Sequence, residues 1–139
     1  MAATTQLAIV TPGAVKFEGT VEIVVAPGAA GDLAALASHA PLLTTLRPGI
    51  VRATVHDAAG THRIAYAVNG GFMQILPSKV RVLTDAALAA GEVDVRAARA
   101  ELERAETAGG DDDRARREAV AWANARLEVA QAAPQVHGS

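Results

Sequence analysis

The sequence predicts a β-rich N-terminal domain, an antiparallel sandwich or barrel, followed by a C-terminal antiparallel hairpin of two helices. Short β-branched runs separated by Gly and Pro fill residues 7–83, as is typical of antiparallel sheets. Apolar residues then recur at spacings of three and four, as in amphipathic helices. A Gly-rich break at 108–110 favours two antiparallel helices. We place the domains at residues 1–86 and 87–139, with a frayed tail from about residue 133.

The first half of the β-rich domain contains three predicted strands and one ordered segment. We expect strands at 7–11, 16–18 and 21–26, the last two separated by Gly19. The segment 31–49 follows, and its apolar residues lack helical spacing. Because Pro41 has no N–H and holds the preceding residue extended, we expect an ordered, partly buried loop with short strands.

The second half of this domain contains a predicted β-hairpin and two further strands. Polar and apolar residues alternate over 50–56 and 62–68, on either side of a turn at 57–60. We expect a turn or bulge at 69–71. Strands at 72–76 and 80–83 then follow, separated by a tight turn at Pro77-Ser78. The β part is expected to end near Asp85.

The C-terminal part contains two predicted helices. In the first, the apolar stripe is Leu88, Gly91, Val95, Ala98, Leu102 and Ala105, and Asp94 is the expected N-cap. The second follows the acidic run 111–113 and extends to about Ala132, with a stripe of Val120, Ala123, Leu127 and Ala130. Both stripes consist mostly of alanine and bury little apolar surface, so we expect a marginally held hairpin that is able to open.

Composition excludes several classes of function. The formal net charge of −2 provides no basic field for nucleic acid or an anionic membrane. The sequence has no cysteine, which removes disulfides, thiolate catalysis and Cys-based zinc sites. The four histidines lack metal-ligand spacing. No apolar run approaches the roughly 20 residues of a membrane helix, and we recognise no signal peptide, so we expect no direct membrane insertion.

The segment Gly31–Gly49 resembles the signature of the epsilon subunit of bacterial F-type ATP synthases. The similarity lies in Gly31-Asp32-Leu33, then His39-Ala40-Pro41-Leu42-Leu43-Thr44, then Leu46-Arg47-Pro48-Gly49. Shorter matches at 7–12, 17–19, 67–72, 80–83, 92–94 and 104–106 extend it over nearly the whole chain. The family commonly has Gly where this chain has Ala34, and Pro-Gly where it has Ala37-Ser38, so we expect a local difference in the loop backbone.

The resemblance implies a non-catalytic rotor component of a proton-translocating ATP synthase. Its sandwich would bind the gamma shaft subunit and the ring of membrane c subunits. Its hairpin would either fold down or extend towards the alpha and beta subunits and block rotation in the ATP-hydrolysing direction. The protein would then lie at the cytoplasmic face of the bacterial inner membrane, held there peripherally by the complex.

The resemblance also assigns the ring and shaft interface, to Asp32, His39, Ala40, Pro41 and Leu42. An acidic Asp32 would complement basic loops of the ring. Two alternatives rest on the residues alone. Asp32 is equally well explained as a turn residue that hydrogen-bonds its own backbone. Asp32 and His39 as a catalytic pair are disfavoured because no nucleophile accompanies them.

A second set of candidate residues concerns nucleotide binding. Some family members bind ATP through an aliphatic residue, Asp, two free positions, Arg and Ala at the start of the first C-terminal helix. Here Val93, Asp94 and Arg96 would be the contacts, but Ala97 occupies the arginine position. Arg96 is rotated by about 100° from that position and does not replace it. We therefore expect no cofactor and disfavour ATP binding; no Walker-type phosphate loop is present.

Arginines of the second helix form the third set, of which Arg114, Arg117 and Arg126 are the candidates for contact with the catalytic head. In the family this helix contacts acidic segments of alpha and beta, which suits bidentate arginine. The alternative is a solvated helix face. Trp122, the only tryptophan, would anchor either the folded hairpin to the β part or the extended helix to a partner, and we favour the first.

Two other functions fit parts of the sequence. An adaptor, with a β-sandwich binding module and a partner-binding helical hairpin, explains composition and periodicity equally well but not the 31–49 segment. An enzyme would require turnover that depends on His39.

Overall fold

The computed structural model describes residues 3–108 and 112–137. Seven strands lie within these residues: β1 (Thr5–Thr11), β2 (Ala14–Gly28), β3 (Gly31–Leu36), β4 (Leu42–Asp57), β5 (Gly60–Leu76), β6 (Lys79–Leu83) and β7 (Ala87–Leu88). A 3-10 turn at Ala90–Glu92 then leads into α1 (Val95–Thr107) and α2 (Asp113–His137). The predicted fold class, a β-sandwich or barrel followed by two C-terminal helices, is confirmed.

The strands form one sheet that closes on itself. Their order is β1-β6-β5-β4-β2-β3, and β1 also pairs with the first half of β2. The β1–β6 pair is parallel and the other pairs are antiparallel. The enclosed core is aliphatic, as the scarcity of aromatics requires, and its largest fully buried side chains include Leu7, Ile9, Met73, Ile75 and Val82.

The expected break at Gly19 is wrong, because β2 runs unbroken from Ala14 to Gly28. Gly19 lies opposite Leu7 in the β1–β2 pairing. A Cβ at Gly19 would approach the Phe17 ring to 3.0 Å. Gly19 therefore leaves room for the Phe17 ring over β2 and does not end the strand.

The turn or bulge expected at 69–71 is also wrong. Strand β5 continues through it, and its register with β4 does not shift, since Asn69 lies opposite Pro48 and Gly71 opposite Leu46. Gly70 and Gly71 adopt φ of +76° and +116°, which bends the strand without ending it. A Cβ on Gly71 would lie 2.1 Å from the Leu83 carbonyl oxygen, so this close approach requires glycine.

The β part extends beyond its expected end near Asp85, because Ala87–Leu88 pair with Ala67 and Val68 of β5. Leu88 is thus a strand residue and Gly91 belongs to the 3-10 turn, so α1 is shorter than its predicted stripe. Its N-cap is confirmed, since the Asp94 carboxylate accepts a hydrogen bond from the Ala97 N–H at 3.0 Å.

Helix α2 lies between α1 and the sheet, where it contacts β4, β5 and the 3-10 turn. The Asp112 carboxylate accepts from the Ala115 N–H at 2.9 Å near its start. Its backbone stays helical to His137, beyond the expected end near Ala132 and into the tail expected to fray. The Gly-rich break falls partly on residues 109–111, outside the described residues.

Candidate functional site

Asp32 lies at the start of β3, opposite Pro27 of β2. Its carboxylate accepts a hydrogen bond from the Arg47 guanidinium at 2.6 Å. Arg47 also donates to the Gly28 carbonyl, which fixes the end of β2 against β4. Both members of the pair are largely exposed, so the pair is screened by water and a partner can still reach the carboxylate.

The loop that follows β3 presents apolar side chains to solvent. Ser38 has φ of +63°, and its N–H donates to the Pro77 carbonyl at 3.3 Å. His39 is bound within the loop, with Nδ1 2.6 Å from the Ala40 carbonyl oxygen, so that nitrogen is the protonated donor. Asp32 and His39 thus have separate partners and do not hydrogen-bond as an acid–base pair. Leu42 and Leu43 are 40% and 66% exposed.

A second exposed surface was not anticipated from the sequence, and we call it the apolar row. It consists of Val15, Val10, Leu83 and Phe72, on the consecutive strands β2, β1, β6 and β5. Cross-strand pairs join Val15 to Val10, Val10 to Leu83 and Leu83 to Phe72. Val15, Leu83 and Phe72 are 59%, 42% and 50% exposed. With strands spaced by about 4.8 Å, the row is roughly 14 Å long.

The apolar row leads towards the loop after β3. Phe72 pairs with Thr45 of β4, and Leu43 lies two residues earlier on that strand, hence on the same face. Three members of the row, Val10, Phe72 and Leu83, line a shallow depression together with Pro12. The sandwich therefore carries one exposed apolar surface that joins the loop to the outer face of the sheet.

The helical hairpin is docked on a different part of the sheet. Trp122, Ala125 and Val129 of α2 pack on Ile50 and Ala67. This confirms the interpretation of Trp122 as an anchor between the folded hairpin and the β part. Next to it, the Arg52 guanidinium binds the Glu128 carboxylate at 2.5 Å, in a pair that is more than half exposed.

Glu92 connects the 3-10 turn to the sandwich through an ion pair. Its carboxylate accepts from the Lys16 ammonium at 2.6 Å and from the Ala89 N–H at 2.9 Å. The hydrogen bond from Lys16 is the main reason that the pKa of Glu92 is lowered. Nearby, Tyr66 donates its hydroxyl to the Lys16 carbonyl, and burial raises the pKa of this phenol.

The predicted nucleotide contacts have other roles in this structure. Val93 packs against the cluster that contains Trp122, and Asp94 caps α1. Arg96 is exposed, Ala97 in the arginine position of the motif is partly buried, and Ala98 is fully buried. Among the described residues, no group of three or more His, Cys, Asp or Glu is arranged to hold a metal ion.

The three candidate arginines of α2 are placed in two environments. Arg114 is 83% exposed and lies 3.8 Å from Glu118, and Arg117 is exposed on the same helix. Arg126 is buried, and its guanidinium makes two hydrogen bonds to the Glu101 carboxylate of α1 at 2.8 and 3.2 Å. Only Arg114 and Arg117 are therefore open to a partner while the hairpin is folded.

Comparison with known proteins places the chain in a family. Residues 4–90 match the family model of the ATP synthase Delta/Epsilon chain β-sandwich domain. Over 140 residues, the chain is 41% identical to an ATP synthase epsilon chain of Legionella pneumophila strain Lens, with 98% of this chain and 92% of the relative covered. The chain belongs to the ATP synthase epsilon chain family. An epsilon chain of Desulforamulus reducens is 44% identical over 106 residues, which cover 76% of this chain and 77% of the relative.

Solved structures share the fold of this family member. A chain in the Euglena gracilis mitochondrial ATP synthase, in an OSCP/F1/c-ring structure, aligns with a TM-score of 0.69 at 24% identity and covers 96% of this chain and 83% of that one. A chain in a central stalk and c-ring structure from Tetrahymena thermophila aligns with a TM-score of 0.56 at 15% identity, covering 95% and 97%. Within the described residues, no helix combines the length and apolar character needed to cross a membrane.

A sequence signal for the apolar row exists, although it requires the strand register. Within β5 and at the end of β6 the alternation of polar and apolar residues fails, since Phe72 precedes the buried Met73 and Leu83 follows the buried Val82. Adjacent apolar residues on a strand must point to opposite faces. One of each pair therefore lies on the outside.

Proposed function

We propose that this epsilon chain is a non-catalytic subunit of the central stalk of a bacterial proton-translocating F-type ATP synthase. It couples the gamma shaft to the ring of c subunits and restrains ATP hydrolysis through its C-terminal helices. It lies at the cytoplasmic face of the inner membrane, held peripherally by the complex. The observation that carries the proposal is the exposed apolar surface of the sandwich, which is separate from the site where the hairpin docks.

The apolar row supports docking on the gamma shaft. An exposed apolar surface that continues across several strands is the kind of surface on which protein partners bind. Phe72 and Leu83 at its centre are large enough to act as anchors. We assign this row to gamma.

The loop after β3 supports contact with the ring. Asp32 of β3 and its exposed partner Arg47 of β4 lie on either side of it in the sequence, and the loop itself contains His39, Ala40 and Pro41, with Leu42 at the start of β4. A basic group on the ring would compete with Arg47 for the Asp32 carboxylate, which makes this contact sensitive to salt.

The regulatory part of the proposal concerns α1 and α2. When the hairpin is extended, Arg114, Arg117 and Arg126 would contact acidic segments of alpha and beta. Obstruction is then steric and electrostatic, and this chain makes or breaks no covalent bond. We also propose that it works without bound ATP, because Ala97 replaces the arginine of the family motif and Asp94 is engaged as an N-cap.

Binding to a purified alpha–beta–gamma complex tests the docking surface. The double substitution Phe72→Ser with Leu83→Ser removes the centre of the apolar row and should weaken binding roughly 100-fold. Val95→Ser is the matched control, because Val95 is 37% exposed on α1, away from the row, and should bind like the unmodified chain. Equal loss in both variants, or in neither, would show that gamma docks elsewhere. Absence of binding by the unmodified chain would favour an adaptor with other partners.

A further inference from the structure

Arg126 is the only charged side chain that is buried among the described residues, with 8% of its surface exposed. All three of its guanidinium nitrogens are engaged. Two donate to the Glu101 carboxylate on α1, at 2.8 and 3.2 Å, and Nε donates to the Trp122 carbonyl at 3.3 Å. The guanidinium also lies over the Trp122 ring, 4.8 Å from its centroid.

The two partners of Arg126 connect both interfaces of the hairpin. Glu101 belongs to α1, while Trp122 packs on Ile50 and Ala67 of the sandwich. A buried guanidinium needs an anionic partner, because an uncompensated charge there is strongly unfavourable. Glu101 supplies that partner, and the hydrogen bond from Arg126 lowers the pKa of its carboxyl, which keeps it ionised at neutral pH.

The arginines of α2 differ in whether a partner can reach them before the hairpin opens. Arg114 is exposed in the folded hairpin, and Arg117 is as well, so a carboxylate can reach them before any opening. A ligand shifts a conformational equilibrium only through its difference in affinity for the two states. Arg126 is accessible only after the hairpin opens, so a contact with it favours the open state selectively.

We propose that Glu101 is a built-in competitor that masks Arg126 from an acidic partner segment. In the folded hairpin its carboxylate occupies the bidentate position that a partner's aspartate or glutamate would take. Opening exchanges this internal carboxylate for an external one and exposes Trp122, one turn away, as an adjoining aromatic anchor. The inference rests on the proposed function and identifies the contact that regulates it.

Two substitutions that each remove the Arg126–Glu101 ion pair distinguish masking of Arg126 from simple stabilisation of the folded hairpin. Both Glu101→Gln and Arg126→Gln should open the hairpin of the full chain, raising hydrogen exchange of α1 and α2 amides at least about fivefold. In the alpha–beta–gamma complex, however, Glu101→Gln leaves Arg126 free and should lower the residual ATPase rate. Arg126→Gln removes the partner-binding group and should raise that rate.

Glu103→Gln is the matched control, since Glu103 is exposed on the same helix and forms no ion pair with the side chains described for residues 3–108 and 112–131. It should change neither exchange nor ATPase rate. Retained exchange protection of β4 and β5 verifies that each variant is folded. If both test variants move the ATPase rate in the same direction, or if exchange is unchanged, the masking role is overturned while docking and inhibition stand. If the unmodified chain binds without inhibiting, the regulatory part of the proposed function fails, and masking fails with it.

Discussion

Ser38 holds a left-handed backbone, with φ of +63°, a conformation that favours glycine. A non-glycine residue there is strained by about 1–2 kcal/mol. Ser38→Gly relieves the strain, but the added conformational entropy of glycine stabilises the unfolded state by about 0.4–1 kcal/mol. We expect a net gain of about 0.5 kcal/mol in the free energy of unfolding, measured by urea denaturation.

Ala37→Gly is the control for this substitution. Ala37 precedes Ser38 in the same turn, and its φ is not positive. The glycine there should destabilise the protein by about 0.5–1 kcal/mol, because it adds only unfolded-state entropy. Equal effects of the two substitutions would contradict the assignment of strain to Ser38.

Gly71 permits close approach of β5 and β6. Gly71→Ala would place a Cβ 2.1 Å from the Leu83 carbonyl oxygen at φ of +116°, so we expect a loss of about 3 kcal/mol or more in the free energy of unfolding. Gly91→Ala is the comparison, because nothing lies within 4 Å of its Cβ position and its φ is not positive. A mild effect at Gly71 in thermal or urea unfolding would argue against this packing.

Residue roles were predictable where they depend on local sequence. The N-cap role of Asp94 follows from its place before a helix, and the structure confirms it. The pairs Asp32–Arg47 and Glu101–Arg126 span 15 and 25 residues. They depend on strand register and helix docking, which a single sequence does not specify.

At the scale of elements, two lowered carboxyl pKa values make closure of the hairpin dependent on pH. The pKa of Glu92 is lowered by Lys16, and that of Glu101 by Arg126. A lowered folded-state pKa gives stability that is complete above the unfolded value of about 4.5 and is lost as pH falls through the folded value. We therefore expect the protection factors of α1 and α2 amides, their intrinsic exchange rates at each pH divided by the measured rates, to fall below about pH 4.5, with a weaker fall in the double variant Glu92→Gln with Glu101→Gln.

Trp122 is the aromatic residue of α2 and packs on the sheet. Trp122→Ala should weaken this docking by about 2 kcal/mol, since the side chain is half-buried. Hydrogen exchange should increase in α2, while β5 stays protected because its pairing with β4 is independent of the helix. Val95→Ala on α1 should leave both unchanged. Joint loss of protection in α2 and β5 would show that the hairpin and sandwich unfold as one unit.

Element boundaries were predictable where periodicity alone determines them. The β4–β5 hairpin and the change to helical spacing followed from the pattern. Gly19 and Gly70 misled the prediction, because glycine inside a paired strand marks a close approach or a bend as often as an end. Strand β7 was not predicted, because its two residues are too few to show an alternation of polar and apolar side chains.

At the scale of the whole molecule, the sandwich and hairpin place two kinds of contact on separate surfaces. The apolar row and the loop after β3 stay open, while α2 covers Ile50 and Ala67. The order of domains was predictable from the change in period and from the 31–49 segment. The apolar row was not, because it exists only once four strands are aligned.

The most direct test of the account compares the full chain with a chain that ends after Glu92. This truncation keeps β7 and the Lys16–Glu92 pair, so the sandwich stays intact and only the hairpin is lost. Affinity for a purified alpha–beta–gamma complex and its ATPase rate are measured together. Both chains should bind equally well, and only the full chain should lower the rate. Equal inhibition by both chains would contradict regulation by the hairpin, and loss of binding on truncation would contradict docking through the sandwich.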